Sequence, residues 1–168
     1  MNRLLAAACA FAAFAASLPE SQDLKKGEAA IAAVLDDWHK AAAAADEERY
    51  FSHFTPDAIM MGTDTTEHWT CDEFRTWAKP HFAKGTGWSF KSTKRFVSFS
   101  KNGAVAWFDE LVDTQQLGTC RGSGVLVRDS DRWKIAQYNL SVPIPNEVFD
   151  DVKKILDAAA KAKGQGDE

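Results

Sequence analysis

The segment TCRGSGVLVRDSDRWKIAQYNLS, Thr119 to Ser141, places an Arg, a Ser, a Gln and an Asn along two stretches that otherwise have the composition of buried strand. A tight connection at Asp129 to Arg132 sets the register. It puts Val127 opposite Ile135, Val125 opposite Gln137, Ser123 opposite Asn139 and Arg121 opposite Ser141. Side chains alternate with period two, so Arg121, Ser123, Gln137 and Asn139 are expected on one face with Val125, Val127, Trp133 and Ile135. Apolar members gather at one end and polar members at the other, the pattern of a pocket with an apolar floor and a polar wall.

The segment WFDELVD supplies acids to face Arg121. Adjacent strand residues point to opposite faces, so only one of Asp109 and Glu110 looks inward. Glu110 is favoured, because Ala106 and Phe108 share its parity. A buried guanidinium is costly without a carboxylate, and Glu110 would offset that cost for Arg121. GTDTTEHW adds Asp64 and Glu67 at a hairpin turn, where Asp64 either stands at the cavity mouth as a base or satisfies turn backbone. Candidate catalytic residues are therefore Asp64, Glu110 and Arg121. Candidate ligand contacts are Ser123, Gln137 and Asn139, with Trp69, Trp107 and Phe108 as aromatic surface. Gln and Asn cannot serve as general bases.

Other motifs carry less. The four His do not fall in a metal-ligand pattern and read as surface or boundary residues, so no metal and no cofactor are expected. RGSG lies in a strand, with no turn into a helix after it, which excludes a phosphate loop and a nucleophile elbow. Cys71 and Cys120 are either a pair or two buried thiols.

Several elements must position these residues. Ile31, Val34, Leu35, Trp38 and Ala42 follow helical spacing. Asp46 starts a second helix running to about Phe54, and a short hairpin follows, with its first strand at Ala58 to Gly62. Thr70 caps a helix that buries Phe74, Trp77 and Phe82, is kinked or shortened by Pro80, and stops at Gly85. From Trp88 the period becomes two, giving four long strands joined by KNG, QLG and DSD. Asn146 is expected to cap a last amphipathic helix that ends in a polar tail. Helices on one face of long antiparallel strands make an α+β layer, and such a sheet curls into a cone.

The strings HFTPDAIMMGTDTTEHW, AWFDE, RGSGVLVR and WKIAQYNLSVPIPNE resemble the nuclear transport factor 2-like superfamily in its SnoaL-like branch. The resemblance implies a cystatin-like cone, a curved antiparallel sheet wrapped around N-terminal helices, over residues 28–147. It also implies dimers formed through the outer sheet face. The superfamily hosts isomerases, dehydratases, cyclases, hydrolases and non-catalytic modules. Its tyrosine-based sites match poorly, because Tyr138 points out of the pocket by parity and Tyr50 lies on a helix.

The 168 residues suffice for one domain, with 45% apolar and 26% charged residues. A net charge of −4 gives no electrostatic case for nucleic acid or an anionic membrane. Residues 1–17 have the short basic head, apolar middle and small-residue exit of a signal peptide, with cleavage after Ala15 or Ser17. A periplasmic or secreted protein is expected, with no membrane association once the leader is removed. Residues 148–168 form the terminal helix and tail. The expected function is binding of a small organic molecule by a homodimer. The alternatives are a lyase, isomerase or hydrolase with a cavity carboxylate as base and Arg121 stabilising an anion, and a non-catalytic dimerisation module.

Overall fold

Ile31, Leu35, Trp38, Ala41 and Ala42 form one buried stripe on α1, Ser21–Ala43, and this stripe is the axle around which the sheet curves. The computed structural model describes residues 21–164; the leader expected over 1–17 lies outside the described residues. Helix α2, Glu47–Ser52, starts where the Asp46 side chain accepts from the Arg49 amide at 3.1 Å. It ends at Ser52 rather than Phe54, because Phe54 already opens strand β1, Phe54–Met61. Strand β2, His68–Thr70, leads into α3, Cys71–Ala83.

Thr70 and Glu73 close a reciprocal capping box on α3. The helix runs through Pro80 instead of ending there, since Phe74, Ala78 and Phe82 bury a common face that holds the last turn in place. Trp77 departs from expectation: it is 44% exposed, at the edge of a cavity described below. The meander follows as β3 Phe90–Phe99, β4 Val105–Thr114, β5 Gly118–Asp129 and β6 Arg132–Ser141. Gly103, with φ +66°, and the Asn102 side chain, which accepts from the Ala104 amide, make the β3–β4 turn. Asn146 does not cap the last helix. It opens a 3-10 turn, Asn146–Val148, which passes directly into α4, Phe149–Gly164.

All six strands form one sheet in the order β2-β1-β6-β5-β4-β3. Strand β1 pairs parallel with β6, so the sheet is mixed rather than a hairpin beside a meander. The fold is α+β, with N-terminal helices, a curved sheet and a C-terminal helix.

The expected β5–β6 register holds for Arg121–Ser141, Ser123–Asn139 and Val125–Gln137. It then shifts, and Leu126 pairs with Ile135. The residue left over is Ala136, a bulge on β6. One extra residue reverses the facing of everything beyond it. Trp133 and Ile135 are buried on the concave side before the bulge, and Tyr138 is buried there after it. Arg121, Ser123, Gln137 and Asn139 therefore lie on the convex face, contrary to their expected inward orientation. The inward residues of β5 are Cys120, Gly122, Gly124 and Leu126.

Candidate functional site

The concave face and α3 enclose a cavity of about 350 Å³. Its wall combines Trp38 from α1, Tyr50 from α2, Trp69 from β2, Phe74 from α3, Trp88 from the loop before β3 and Tyr138 from β6. The mouth is rimmed by Glu67, His81 and Leu117. The aromatic rings are mutually packed: Trp69 stacks on Trp77 at 5.3 Å, and Trp88 meets Tyr50 edge-on at 5.3 Å.

Tyr138 reaches its position because β5 offers it no side chain. An added Cβ at Gly122 would lie 2.4 Å from the Tyr138 hydroxyl, and one at Gly124 would lie 2.9 Å from the Phe108 ring. Two inward glycines thus let rings from neighbouring strands lie flat across β5. Sequence parity misplaced Tyr138 because glycine carries no hydropathy signal for its face.

Polar groups are few in the wall, and two lack partners. The Tyr138 hydroxyl and the Trp38 Nε1–H are buried with no hydrogen bond. Burial pushes the Tyr50 phenol well above its ordinary value, and the neighbouring Tyr138 adds to the rise. The Trp88 and Trp38 indoles pull it partly back, although the Trp38 N–H does not complete a hydrogen bond. Burial likewise raises Tyr138 well above its ordinary value, with Glu110 contributing next. Both phenols are therefore neutral donors at physiological pH.

Glu110 faces inward, as expected, and is fully buried. Its partner is Arg95, not Arg121. Oε2 accepts from Arg95 Nε at 2.9 Å and Nη2 at 2.7 Å, while Oε1 bonds His39 Nε2 at 2.7 Å. Arg95 continues to Asp36 at 2.9 Å and to the Ala32 carbonyl at 3.3 Å. Burial alone would raise the Glu110 carboxyl; the His39 and Arg95 contacts outweigh it and hold the group below its ordinary value. A carboxylate with both oxygens engaged is a poor proton acceptor and a good anchor. Register places Glu110 opposite Gly122, over which the Tyr138 hydroxyl lies, so this network backs the inner wall of the cavity.

His39 was expected at the surface and is only 6% exposed. Its ring lies 4.8 Å from Trp38 and 5.8 Å from Phe90, both of which line the cavity. Its signal was present in the sequence: Ile31, Leu35 and His39 recur every four residues on the buried stripe of α1. Arg95 left no such signal, since β3 alternates polar residues on both faces.

The remaining candidates separate clearly. Trp69 lines the cavity. Phe108 is buried in the core, with Tyr138 stacked at 6.2 Å. Trp107 is 48% exposed on the convex face, with Asp109 beside it. Asp64 folds back on its own turn, accepting from the Thr66 amide at 2.9 Å and the Thr66 hydroxyl at 2.7 Å. Glu67, its neighbour in that turn, is the acid at the mouth. Cys71 and Cys120 are free thiols. Among the described residues no cluster of His, Cys, Asp or Glu could hold a metal ion.

The family model for the SnoaL-like domain matches residues 31–145. No curated protein matches. Solved structures share the fold at low identity. An NTF2-like protein of unknown function from Pseudomonas putida is 16% identical, with TM-score 0.61, covering 74% of this chain and 92% of that one. A candidate scytalone dehydratase from Novosphingobium aromaticivorans is 12% identical, with TM-score 0.64 and coverages of 74% and 89%. A candidate dehydratase of the NTF2-like family from Streptomyces avermitilis is 16% identical, with TM-score 0.62 and coverages of 73% and 99%.

Proposed function

The chain belongs to the SnoaL-like family of the NTF2-like superfamily, and from that premise we propose that it binds a small, largely apolar, planar organic molecule carrying a hydrogen-bond-accepting oxygen. One observation carries this reading: the Tyr138 hydroxyl and the Trp38 indole N–H are buried and unpartnered in the wall of an aromatic cavity. A buried donor without an acceptor costs about 1–3 kcal/mol. A ligand oxygen between the two donors would recover that energy, and the surrounding rings would supply apolar contact. The cavity volume lies within the range of small-molecule sites, about 300–1,000 Å³.

General-base catalysis finds less support. Glu110 has both oxygens engaged, and Arg121 is outside the cavity. The dehydratase descriptions of two structural neighbours concern those proteins.

Titration with 2-acetylnaphthalene and 2-ethylnaphthalene, followed by tryptophan fluorescence, tests the proposal. The ketone is expected to bind more tightly. Tyr138→Phe is expected to weaken the ketone by about 5–30-fold, as for one lost hydrogen bond, and to leave the hydrocarbon nearly unchanged. Arg121→Ala is expected to change neither. Equal affinities for the two probes, or an equal effect of Tyr138→Phe on both, would overturn it. Export on the leader pattern of residues 1–17 belongs to the same reading. A mature mass beginning at Ala16 or Leu18 is the expected result.

A further inference from the structure

The mouth of the cavity holds one carboxylate, and the hairpin between β1 and β2 fixes its position. Glu67 immediately precedes β2, and Trp69 follows two residues later. Period two therefore gives them one face, the face of Met60, which pairs with Trp69 and is buried. The Gly62 amide donates to the Glu67 carbonyl at 3.0 Å, and Glu67 Oε2 accepts from the Asp64 amide at 3.1 Å. The carboxylate folds back over Gly62, where an added Cβ would overlap it. Oε1 makes no hydrogen bond among the described residues, and Glu67 enters no ion pair there. The turn thus anchors one oxygen and leaves the other for what enters the mouth.

Three indoles stand in the same lining. Trp69 stacks on Trp77 at 5.3 Å, and Trp77 meets Trp88 at 6.1 Å. Trp77 is 44% exposed although it belongs to this packed set, so part of its ring is open at the mouth. Indole faces carry negative potential and attract a cation held within about 6 Å of the ring centre. Charge points the same way. Among the described residues the lining contains no Lys, Arg or Asp, and Glu67 is its one carboxylate. Its one imidazole, His81, lies 5.0 Å from Trp77. A carboxylate and ring faces of like sign repel an anion, and a neutral group gains from them only apolar contact.

We propose that Glu67 and the rim of Trp69, Trp77 and Trp88 select an organic cation: a quaternary ammonium or protonated amine attached to the apolar ligand. The proposal rests on the reading above that the cavity takes an apolar organic molecule. It adds the charge of the group left at the mouth. Gly62 is the positioning residue, because it alone leaves room for the carboxylate to fold inward.

(2-Naphthylmethyl)trimethylammonium and 2-neopentylnaphthalene share a shape and differ in charge. Neither carries an oxygen, so their affinity ratio reads the mouth and is independent of the ketone comparison made for Tyr138. Titrations followed by tryptophan fluorescence are expected to favour the cation by about 10-fold, and 2-naphthylacetate is expected to bind more weakly than either. Glu67→Gln is expected to weaken the cation by about 5–10-fold and to move the neutral probe little. Trp77→Leu is expected to weaken the cation more than the neutral probe. Gly62 does not have a positive φ, so Gly62→Ala strains no backbone. Its methyl group is expected to displace the carboxylate and to reproduce part of the Glu67→Gln effect. An unchanged circular dichroism spectrum and denaturation midpoint identify a folded variant. Equal affinity for the two shapes, or a cation preference untouched by Glu67→Gln, would overturn the proposal and leave the ketone result standing. Failure of every naphthalene probe to bind would overturn the reading of the cavity, and this proposal with it.

Discussion

Gly122 and Tyr138 act as one unit. The phenol occupies the space that a side chain on β5 would fill, so its hydroxyl lies buried over Gly122. Gly122→Ala places a methyl group 2.4 Å from that oxygen, so the ring must move. Overpacking of this kind costs about 1–3 kcal/mol. Chemical denaturation is expected to register that loss, with cavity-probe affinity falling alongside. In a Tyr138→Phe background the clashing oxygen is gone, although ring carbons remain at 3.0 Å, so the cost of Gly122→Ala is expected to shrink without vanishing. Additive effects of the two changes would mean that the contact is not what holds the ring.

At the scale of elements, α3 forms the wall opposite the sheet, and its start depends on Thr70. The Thr70 hydroxyl accepts from the Glu73 amide at 3.3 Å, and Glu73 accepts from the Thr70 amide at 2.8 Å. Thr70→Ala is expected to cost about 1 kcal/mol, read as a lower midpoint of denaturation. Probe binding would weaken only as far as the first turn, which holds Phe74, becomes less ordered. Caps of this sort are legible in sequence because donor and acceptor sit three residues apart. The same locality explains the readable Asp46 start and the inward setting of Glu110, which shares parity with Ala106 and Phe108. The facing of Arg121 was not legible. It depends on Ala136, whose bulge no residue type announces, and on Gly122 and Gly124, whose buried face has no side chain to reveal it. The parallel pairing of β1 with β6 joins segments about 80 residues apart, and nothing local to either strand encodes it. Glu110 was found without its partners for the same reason: Arg95 and His39 reach it from two other elements.

At the scale of the molecule, buried titratable groups set the pH range over which the fold holds. Burial, ahead of the opposing effect of Asp37, depresses His53 below its ordinary 6.5. Below pH 6.5 the unfolded chain therefore binds a proton that the native chain refuses, and stability falls as pH drops toward the folded value. Glu110, held below its ordinary 4.5 in spite of burial, adds a second loss when pH falls through its folded value. On the alkaline side the sign reverses. Tyr50 and Tyr138 are both raised well above 10.0, burial being the main cause. Above pH 10 the unfolded chain releases phenolic protons that the native chain retains, so stability falls again as pH rises. Denaturation midpoints from pH 3 to 11 are expected to trace a plateau bounded by these limbs. Tyr138→Phe removes one of the two phenols and is expected to flatten the alkaline limb alone. Glu110→Gln is expected to flatten the acid limb below 4.5 while lowering the plateau, because Arg95 loses its buried counter-charge. An alkaline limb unchanged by Tyr138→Phe would show that this phenol ionises in the native state as readily as in the unfolded chain. It would then be in contact with water, and the cavity wall would not be the dry aromatic surface on which ligand binding depends.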